Sequence, residues 1–207
     1  MNHPSGTVYL LDDEPGMLKA LSRLLRSEGF DVSPFSSARE FLDAWQPDSV
    51  SCLVLDVAMP ELNGMELQRR LTGAGIMLPI VFLTGHGDIP MSVRAIKAGA
   101  VDFLTKPVND EALLTAVRTA LGRSAEQRGA IAESAALALR LSQLTPRERE
   151  VMCHVIAGKL NKQIAADLGT GEQNIKVHRA RVMEKMGVQS VAELVRVADR
   201  LGVTPAE

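Results

Sequence analysis

The sequence predicts an α/β domain built as a doubly wound five-stranded parallel sheet, followed by a small all-α domain. Over about the first 120 residues, five short apolar runs alternate with amphipathic stretches. Regular β-α alternation of this kind builds a parallel sheet with helices on both faces. From Ser142 onward only helical patterns appear. Charge is also divided. Residues 1–122 hold ten Lys and Arg against fifteen Asp and Glu, a net of −5, whereas residues 142–207 hold ten against eight, a net of +2. Opposite balances suit two domains with different partners, although the asymmetry alone is weak evidence for nucleic acid.

The strands fall at Val8–Leu11, Asp31–Pro34, Cys52–Leu55, Ile80–Leu83 and Val101–Leu104. Between them lie helical patterns at Pro15–Ser27, Ala38–Trp45, Gly64–Thr72, Ile89–Ala98 and Asp110–Leu121. In the first of these, Met17, Leu18, Leu21, Leu24 and Leu25 recur on one helix face. The crossovers of such a sheet are right-handed. Residues 123–141 are Ala-rich, lack Pro and read as a helical linker between a first domain over 1–122 and a second over 142–207. In the second domain Thr145 is placed to N-cap a helix that has Pro146 at its first position and Glu148 at the capping-box offset. Gly158, Gly169, Gly187 and Gly202 then divide the region into four helices.

The chain has 207 residues, 46% of them apolar and 23% charged, with a net charge of −2. That composition is globular. No run approaches the roughly 18 apolar residues of a membrane helix, and the start MNHPSG lacks the basic and apolar regions of a secretory signal. The two cysteines, Cys52 and Cys153, lie in apolar and helical patterns without C-x-x-C spacing, which suits packed thiols in a reducing cytoplasm.

In open parallel α/β sheets ligands bind beyond the carboxyl ends of the strands. The first strand ends in Asp12-Asp13, the third in Asp56, the fourth in Thr84 and the fifth in Thr105-Lys106-Pro107. Each of these alone reads as an ordinary loop polar residue, but together they collect three carboxylates, a hydroxyl and an ammonium at one edge. Three close acids repel one another and call for a hard cation. Mg²⁺ or another divalent cation suits a set of one or two carboxylates completed by water and phosphate oxygens. One carboxylate can then act as the nucleophile in phosphoryl transfer, with Lys106 and Thr84 stabilising the phosphoryl oxygens.

The segments LLDDE, LVLDVAMPELNG, VFLTGHGD and AVDFLTKP resemble the signature of the response-regulator receiver domain, whose fold is flavodoxin-like, across about 120 residues. The resemblance implies that Asp56 accepts phosphate from a sensor histidine kinase. It further implies that Asp13, Asp56 and the Ala58 carbonyl bind the metal, with Asp12 acting mainly through water. Thr84 and Phe103 match the family's switch pair, and the Lys106–Pro107 bond is expected to be cis. Other readings of these stretches fit less well. Gly73-Ala74-Gly75 follows a helix and precedes a strand, the reverse of a dinucleotide loop. A phosphatase with an aspartyl nucleophile would carry a second acid where Ala58 stands. His86 and Asp88 could be imagined as metal ligands, but a loop leading to an N-cap at Asp88 accounts for them.

The stretch NKQIAADLGTGEQNIKVHRARVMEKMG holds two short helices broken at Leu168-Gly169-Thr170. The second carries Lys176, His178, Arg179, Arg181 and Lys185, while Ile175, Val182 and Met186 take the core-facing positions. Basic residues on the remaining faces suit a helix against phosphates, and suit a solvated amphipathic helix equally. The pattern running from LTPREREVM through IKVHRARVMEKMG resembles the LuxR-type helix-turn-helix, with the motif at about 161–180. The whole chain is similar to the NarL/FixJ-type response regulators. That resemblance implies that the helix from about Gly171 to Lys185 enters the major groove. Lys176, Val177 and Ala180 would face bases, and His178, Arg179 and Arg181 the phosphate backbone. Gly171 and Asn174 depart from the usual Ser and Thr of the family. Thr170 or Glu172 could supply the missing cap, and Asn174 could bond adenine or phosphate. Low aromatic content, 3%, disfavours single-strand stacking modes.

These readings converge on a cytoplasmic, phosphorylation-dependent transcriptional regulator. It would dimerise on phosphorylation through the face made by the fourth helix, fifth strand and fifth helix, and bind double-stranded promoter DNA. RNA polymerase is a further candidate partner, and no membrane is expected. No enzymatic turnover is expected beyond phosphotransfer to Asp56 and its hydrolysis. The rivals are an enzyme that turns over through Asp56, and a phosphorylation-independent DNA-binding or scaffolding protein with a receiver-like fold.

Overall fold

The computed structural model describes residues 6–47, 49–60, 62–85 and 89–206. They divide into two compact units, Met1–Arg128 and Gly129–Glu207. The first unit contains strands β1 (Thr7–Leu11), β2 (Asp31–Phe35), β3 (Ser51–Asp56), β4 (Ile80–Thr84) and β5 (Asp102–Thr105). Helices α1 (Pro15–Ser27), α2 (Ala38–Ala44), α3 (Gly64–Gly73) and α4 (Ile89–Lys97) connect them, and α5 (Asp110–Ser142) follows β5. All strand pairs are parallel, in the order β2-β1-β3-β4-β5.

Successive side chains of a strand point to opposite faces, so a sheet covered on both sides needs apolar residues at nearly every position. β3 shows this in full, since all six of its residues are buried. Val8, Leu10, Cys52, Val54, Val81 and Leu83 face one cluster, closed by α1 and the first turns of α5. Tyr9, Leu11, Leu53, Leu55 and Phe82 face the other, closed by α2, α3 and α4. Pro34 lies in β2, an edge strand, where its missing N–H breaks no internal ladder. β5 begins one residue later than the apolar run suggests, within the usual spread of strand ends.

One element differs from the sequence expectation. The helix expected to end at Leu121 and the linker helix expected over residues 123–141 are a single helix of 33 residues. Gly122 and Gly129 lie inside it without breaking it, because Ala, Leu, Glu and Arg around them are strong helix formers and no Pro intervenes.

The second unit packs α6 (Pro146–Ile156), α7 (Asn161–Asp167), α8 (Glu172–Met186) and α9 (Val191–Arg200) around one core. α6 starts with the full capping box, Thr145 and Glu148 each accepting from the other's backbone N–H. The chain reverses after each helix at Gly158, Gly169, Gly187 and Gly202. All four adopt positive φ, a conformation that glycine reaches without a steric penalty. Ile175, Val182 and Met186 are fully buried. No helix among the described residues is long and apolar enough to cross a membrane.

Candidate functional site

The parallel register brings the carboxyl ends of β1, β3, β4 and β5 to one edge, and the polar residues follow the strands there. Asp12 and Asp13 directly follow β1, while Asp56 and Thr84 are the last residues of β3 and β4. Asp12, Asp56 and Thr84 are buried, at 2%, 3% and 2% exposure, and Asp13 is exposed. Carboxylate oxygens of Asp12, Asp13 and Asp56 all lie within 4.8 Å of one another. Lys106 follows β5, and its bond to Pro107 is cis, as the resemblance implied. Its backbone N–H donates to the Thr84 carbonyl at 2.7 Å.

This tether turns the Lys106 ammonium back over the acids. Nζ donates to Asp12 Oδ2 at 2.7 Å and to Glu14 Oε1 at 3.4 Å, and lies 3.3 Å from Asp56 Oδ2. Burial disfavours the charged ammonium, yet the hydrogen bond and charge of Asp12, with Asp56 beside it, outweigh burial and raise its pKa. Burial dominates at Asp12 and pushes its carboxyl above the usual value. The Lys106 bond and the Glu14 N–H oppose that rise, and the Asp56 charge adds to it. One cation therefore does not fully offset the burial of Asp12. The donor set, three carboxylates with two of them buried, fits a hard divalent cation.

Two neighbours had no assigned role in the sequence reading. Glu14 is the third acid of LLDDE, and that run of acids was the available signal. Gly64 begins α3, and a Cβ there would collide with the Asp56 carbonyl oxygen. Glycine thus lets α3 approach the end of β3, an arrangement also marked by a 3.1 Å bond from Gly64 N–H to Val57 O. The Ala58 N–H donates to Asp56 Oδ1 at 3.3 Å. Phe103 is half-buried, with its ring centroid 6.1 Å from that of Phe82 on the neighbouring strand. His86 and Asp88 lie outside the described residues.

In the second unit α7, a turn through Leu168–Gly171 and α8 form two helices in series. Asn174, Lys176, Val177, Ala180 and Arg181 are exposed along α8, while His178 and Arg179 are half-buried. Arg179 Nη1 donates to Asn161 Oδ1 at 3.1 Å, tying α8 to the start of α7. Gly171 caps α8 without a side-chain bond. Neither Thr170 nor Glu172 replaces one, because the Thr170 hydroxyl accepts from Asn174 Nδ2 at 3.1 Å instead. Lys185 also departs from the sequence grouping. Its ammonium lies 2.6 Å from Glu148 Oε2 and donates to Gln143 O at 3.2 Å, so it belongs to the packing of α6 on α8. Its hydrogen bond is the largest influence holding the Glu148 carboxyl below the usual range.

The family models divide the chain in the same sense. Residues 8–118 match the response regulator receiver domain, and residues 142–198 match the bacterial regulatory proteins of the luxR family. The chain belongs to the response regulators. This response regulator is 47% identical to response regulator protein TmoT of Ectopseudomonas mendocina, over 97% of its own length and 91% of the relative's. It is 43% identical to transcriptional regulatory protein FixJ of Azorhizobium caulinodans, over 97% and 95% of the two chains. Among solved structures, the response regulator StyR matches with a TM-score of 0.86 and 46% identity, covering 94% of this chain and 98% of that one. The family is one of transcriptional regulators rather than turnover enzymes, and its receiver domain implies a histidine kinase partner as its luxR-family domain implies DNA.

Proposed function

We propose that this response regulator accepts a phosphoryl group on Asp56 and uses it to control promoter binding by α8. The observation that carries this reading is a buried Asp56 carboxylate beside Asp12 and Asp13, with Lys106 Nζ at 3.3 Å. An Asp56 oxygen forms a bond to phosphorus while the bond from phosphorus to the kinase imidazole nitrogen breaks, and the imidazole leaves with that electron pair. Lys106 neutralises the oxygens of the incoming group, and the Thr84 hydroxyl donates a hydrogen bond to them. Asp13, Asp56 and the Ala58 carbonyl, with Asp12 through water, would hold Mg²⁺ or another divalent cation. When bound, that cation supplies charge neutralisation for the acids and the phosphoryl oxygens.

Phosphorylation adds charge at the sheet edge, Thr84 turns toward it, and Phe103 moves inward to fill the vacated space. The consequence reaches the α4-β5-α5 face, where Ile89, Val93 and Ile96 stand exposed at helical spacing on α4. That stripe suits pairing with a second copy, which sets two α8 helices on adjacent half-sites, with RNA polymerase as a further partner. We assign residues 1–122 to the receiver, 123–141 to the linker within α5, and 142–207 to the effector with its motif at about 161–180. Lys176, Val177 and Ala180 are assigned to bases, His178, Arg179 and Arg181 to phosphates, and Asn174 to adenine or phosphate. Two free cysteines, one of them fully buried, suit a reducing cytoplasm.

The test is acyl-phosphate labelling by a small phosphodonor, together with a DNA titration at stated salt. Asp56→Asn is expected to abolish labelling, and the donor to tighten DNA binding by the wild type only. Full labelling of Asp56→Asn would overturn the assignment. Equal DNA affinity with and without donor would favour a phosphorylation-independent DNA-binding protein.

A further inference from the structure

The second unit reaches further back along the chain than its family match. Residues 142–198 match the luxR family, yet the compact unit begins at Gly129 and takes in the last turns of α5. Leu137 is buried in that stretch, and Leu141 packs against the core that α6 to α9 share. Glu133 accepts two bonds from the Arg200 guanidinium, at 2.7 and 2.8 Å, which ties α5 to the last turn of α9.

Arg140 reaches a different place. Its Nη1 donates to the Met186 carbonyl at 3.2 Å, at the last residue of α8. A helix leaves its final carbonyls without partners of its own. The turn through Gly187 answers two of those of α8, since Gly187 N–H donates to Glu184 O and Val188 N–H to Met183 O. Met186 O is answered from outside the helix, by a guanidinium whose charge also suits the negative end of the helix dipole. Gly187 leaves room for that guanidinium. Its φ is +66°, and a Cβ there would meet Arg140 Nη1 at 2.5 Å. One residue earlier, Lys185 Nζ donates to the carbonyl of Gln143, which directly follows α5, at 3.2 Å. Two consecutive residues at the end of α8 are thus held from the end of the linker.

We propose that Arg140 is a positioning residue for DNA binding, an inference that rests on the reading of α8 as the helix that contacts DNA. It fixes the carboxyl end of α8, so the angle at which α8 meets a duplex depends on a linker residue that itself touches no DNA. The end of α5 is part of the DNA-binding unit and more than a tether.

The experiment is a DNA titration of the full chain at several salt concentrations, with a duplex that the wild type enriches from a random pool. Arg140→Gln keeps the helix propensity of α5 and removes the charged donor. It is expected to weaken binding by about fivefold, the scale of one half-exposed hydrogen bond. The salt slope stays unchanged, because no phosphate contact is lost. Arg140→Lys keeps a charged donor and loses less. In the free variant Arg140→Gln, amide hydrogen exchange quickens at Gly187 and Val188 and stays as in the wild type along α6, which shows that the unit remains folded. Arg181→Ala tests the reading of α8 itself. If it weakens binding while Arg140→Gln leaves affinity unchanged, the positioning role is overturned and the reading of α8 stands. If Arg181→Ala has no effect on binding, both fall. A salt slope lowered by about one in Arg140→Gln also overturns the proposal, because Arg140 would then be a phosphate contact itself.

Discussion

Lys106 Nζ sits 2.7 Å from Asp12 Oδ2, an ion pair that joins residues 94 positions apart and ties the end of β5 to the end of β1. With Asp56 at 3.3 Å, one nearly buried ammonium serves two buried carboxylates. Removing it leaves both acids uncompensated. Lys106→Met is expected to destabilise the receiver by about 3 kcal/mol in chelator, the scale for breaking a buried pair. Millimolar Mg²⁺ should return part of that loss. Equal chemical denaturation midpoints for the two proteins in chelator would show that the pair adds nothing.

Gly64 predicts a steric effect with a chemical readout. In Gly64→Ala the new Cβ meets the Asp56 carbonyl, which is backbone and cannot swing aside. Overpacking of this kind costs about 1–3 kcal/mol. Asp56 labelling should slow along with it, since the start of α3 and the end of β3 must separate. Unchanged stability and labelling in the variant would contradict the close approach.

The two thiols should behave differently. Burial pushes the Cys52 thiol up to about 12, while Cys153 is half-buried. Thiolate is the reactive form. Mass spectrometry after brief alkylation of the native protein is expected to find label on Cys153 and none on Cys52 until denaturant is added. Label on both at similar rates would mean that β3 opens readily.

Glu148 gives the second unit a pH dependence of known sign. Its folded pKa lies below the ordinary glutamate value of 4.5, with Lys185 as the main cause. Above 4.5 both folded and unfolded forms are ionised and the stabilisation is complete. As pH falls below 4.5 the unfolded chain takes up its proton first, and the stabilisation is lost through the folded pKa. Glu148→Gln should flatten this part of the acid unfolding profile. An identical profile in wild type and variant would remove Lys185 from the stabilising pair.

Lys185 and Arg181 lie four residues apart on α8, yet their DNA phenotypes should differ. Arg181→Ala is expected to lower the salt slope of DNA binding by about one, the loss of one phosphate contact. Lys185→Met should leave that slope unchanged and lower stability by about 1 kcal/mol. Lys176→Ala should reduce discrimination between operator and random duplex. A reduced slope in Lys185→Met would place its ammonium on DNA after all.

Much of the molecule was legible because local pattern and function coincide. Asp12, Asp13, Asp56, Thr84 and Lys106 could be grouped from sequence, since each ends or follows a strand and a parallel sheet gathers strand ends. The four glycines of the second unit marked its helix ends through their φ requirement alone. What escaped depends on neighbours distant in sequence. Lys185 was grouped with the other basic residues of α8 because Glu148, its partner, lies 37 residues away on another helix. The demand for glycine at position 64 comes from a carbonyl on β3, and no periodicity reports it. The unbroken α5 was hidden by Gly122, which stands where the expected helix to Leu121 meets the expected helical linker from residue 123.

The proposed phosphoryl site is assembled from segments that have no reason to meet in an unfolded chain. β5 lies at one edge of the sheet and is the last strand to be made, and it delivers Lys106. A nascent chain still lacking that strand, or a misfolded one in which it has come away, holds the acids without their ammonium. Under the proposed function, phosphoryl acceptance therefore requires β5 to be in place beside β4.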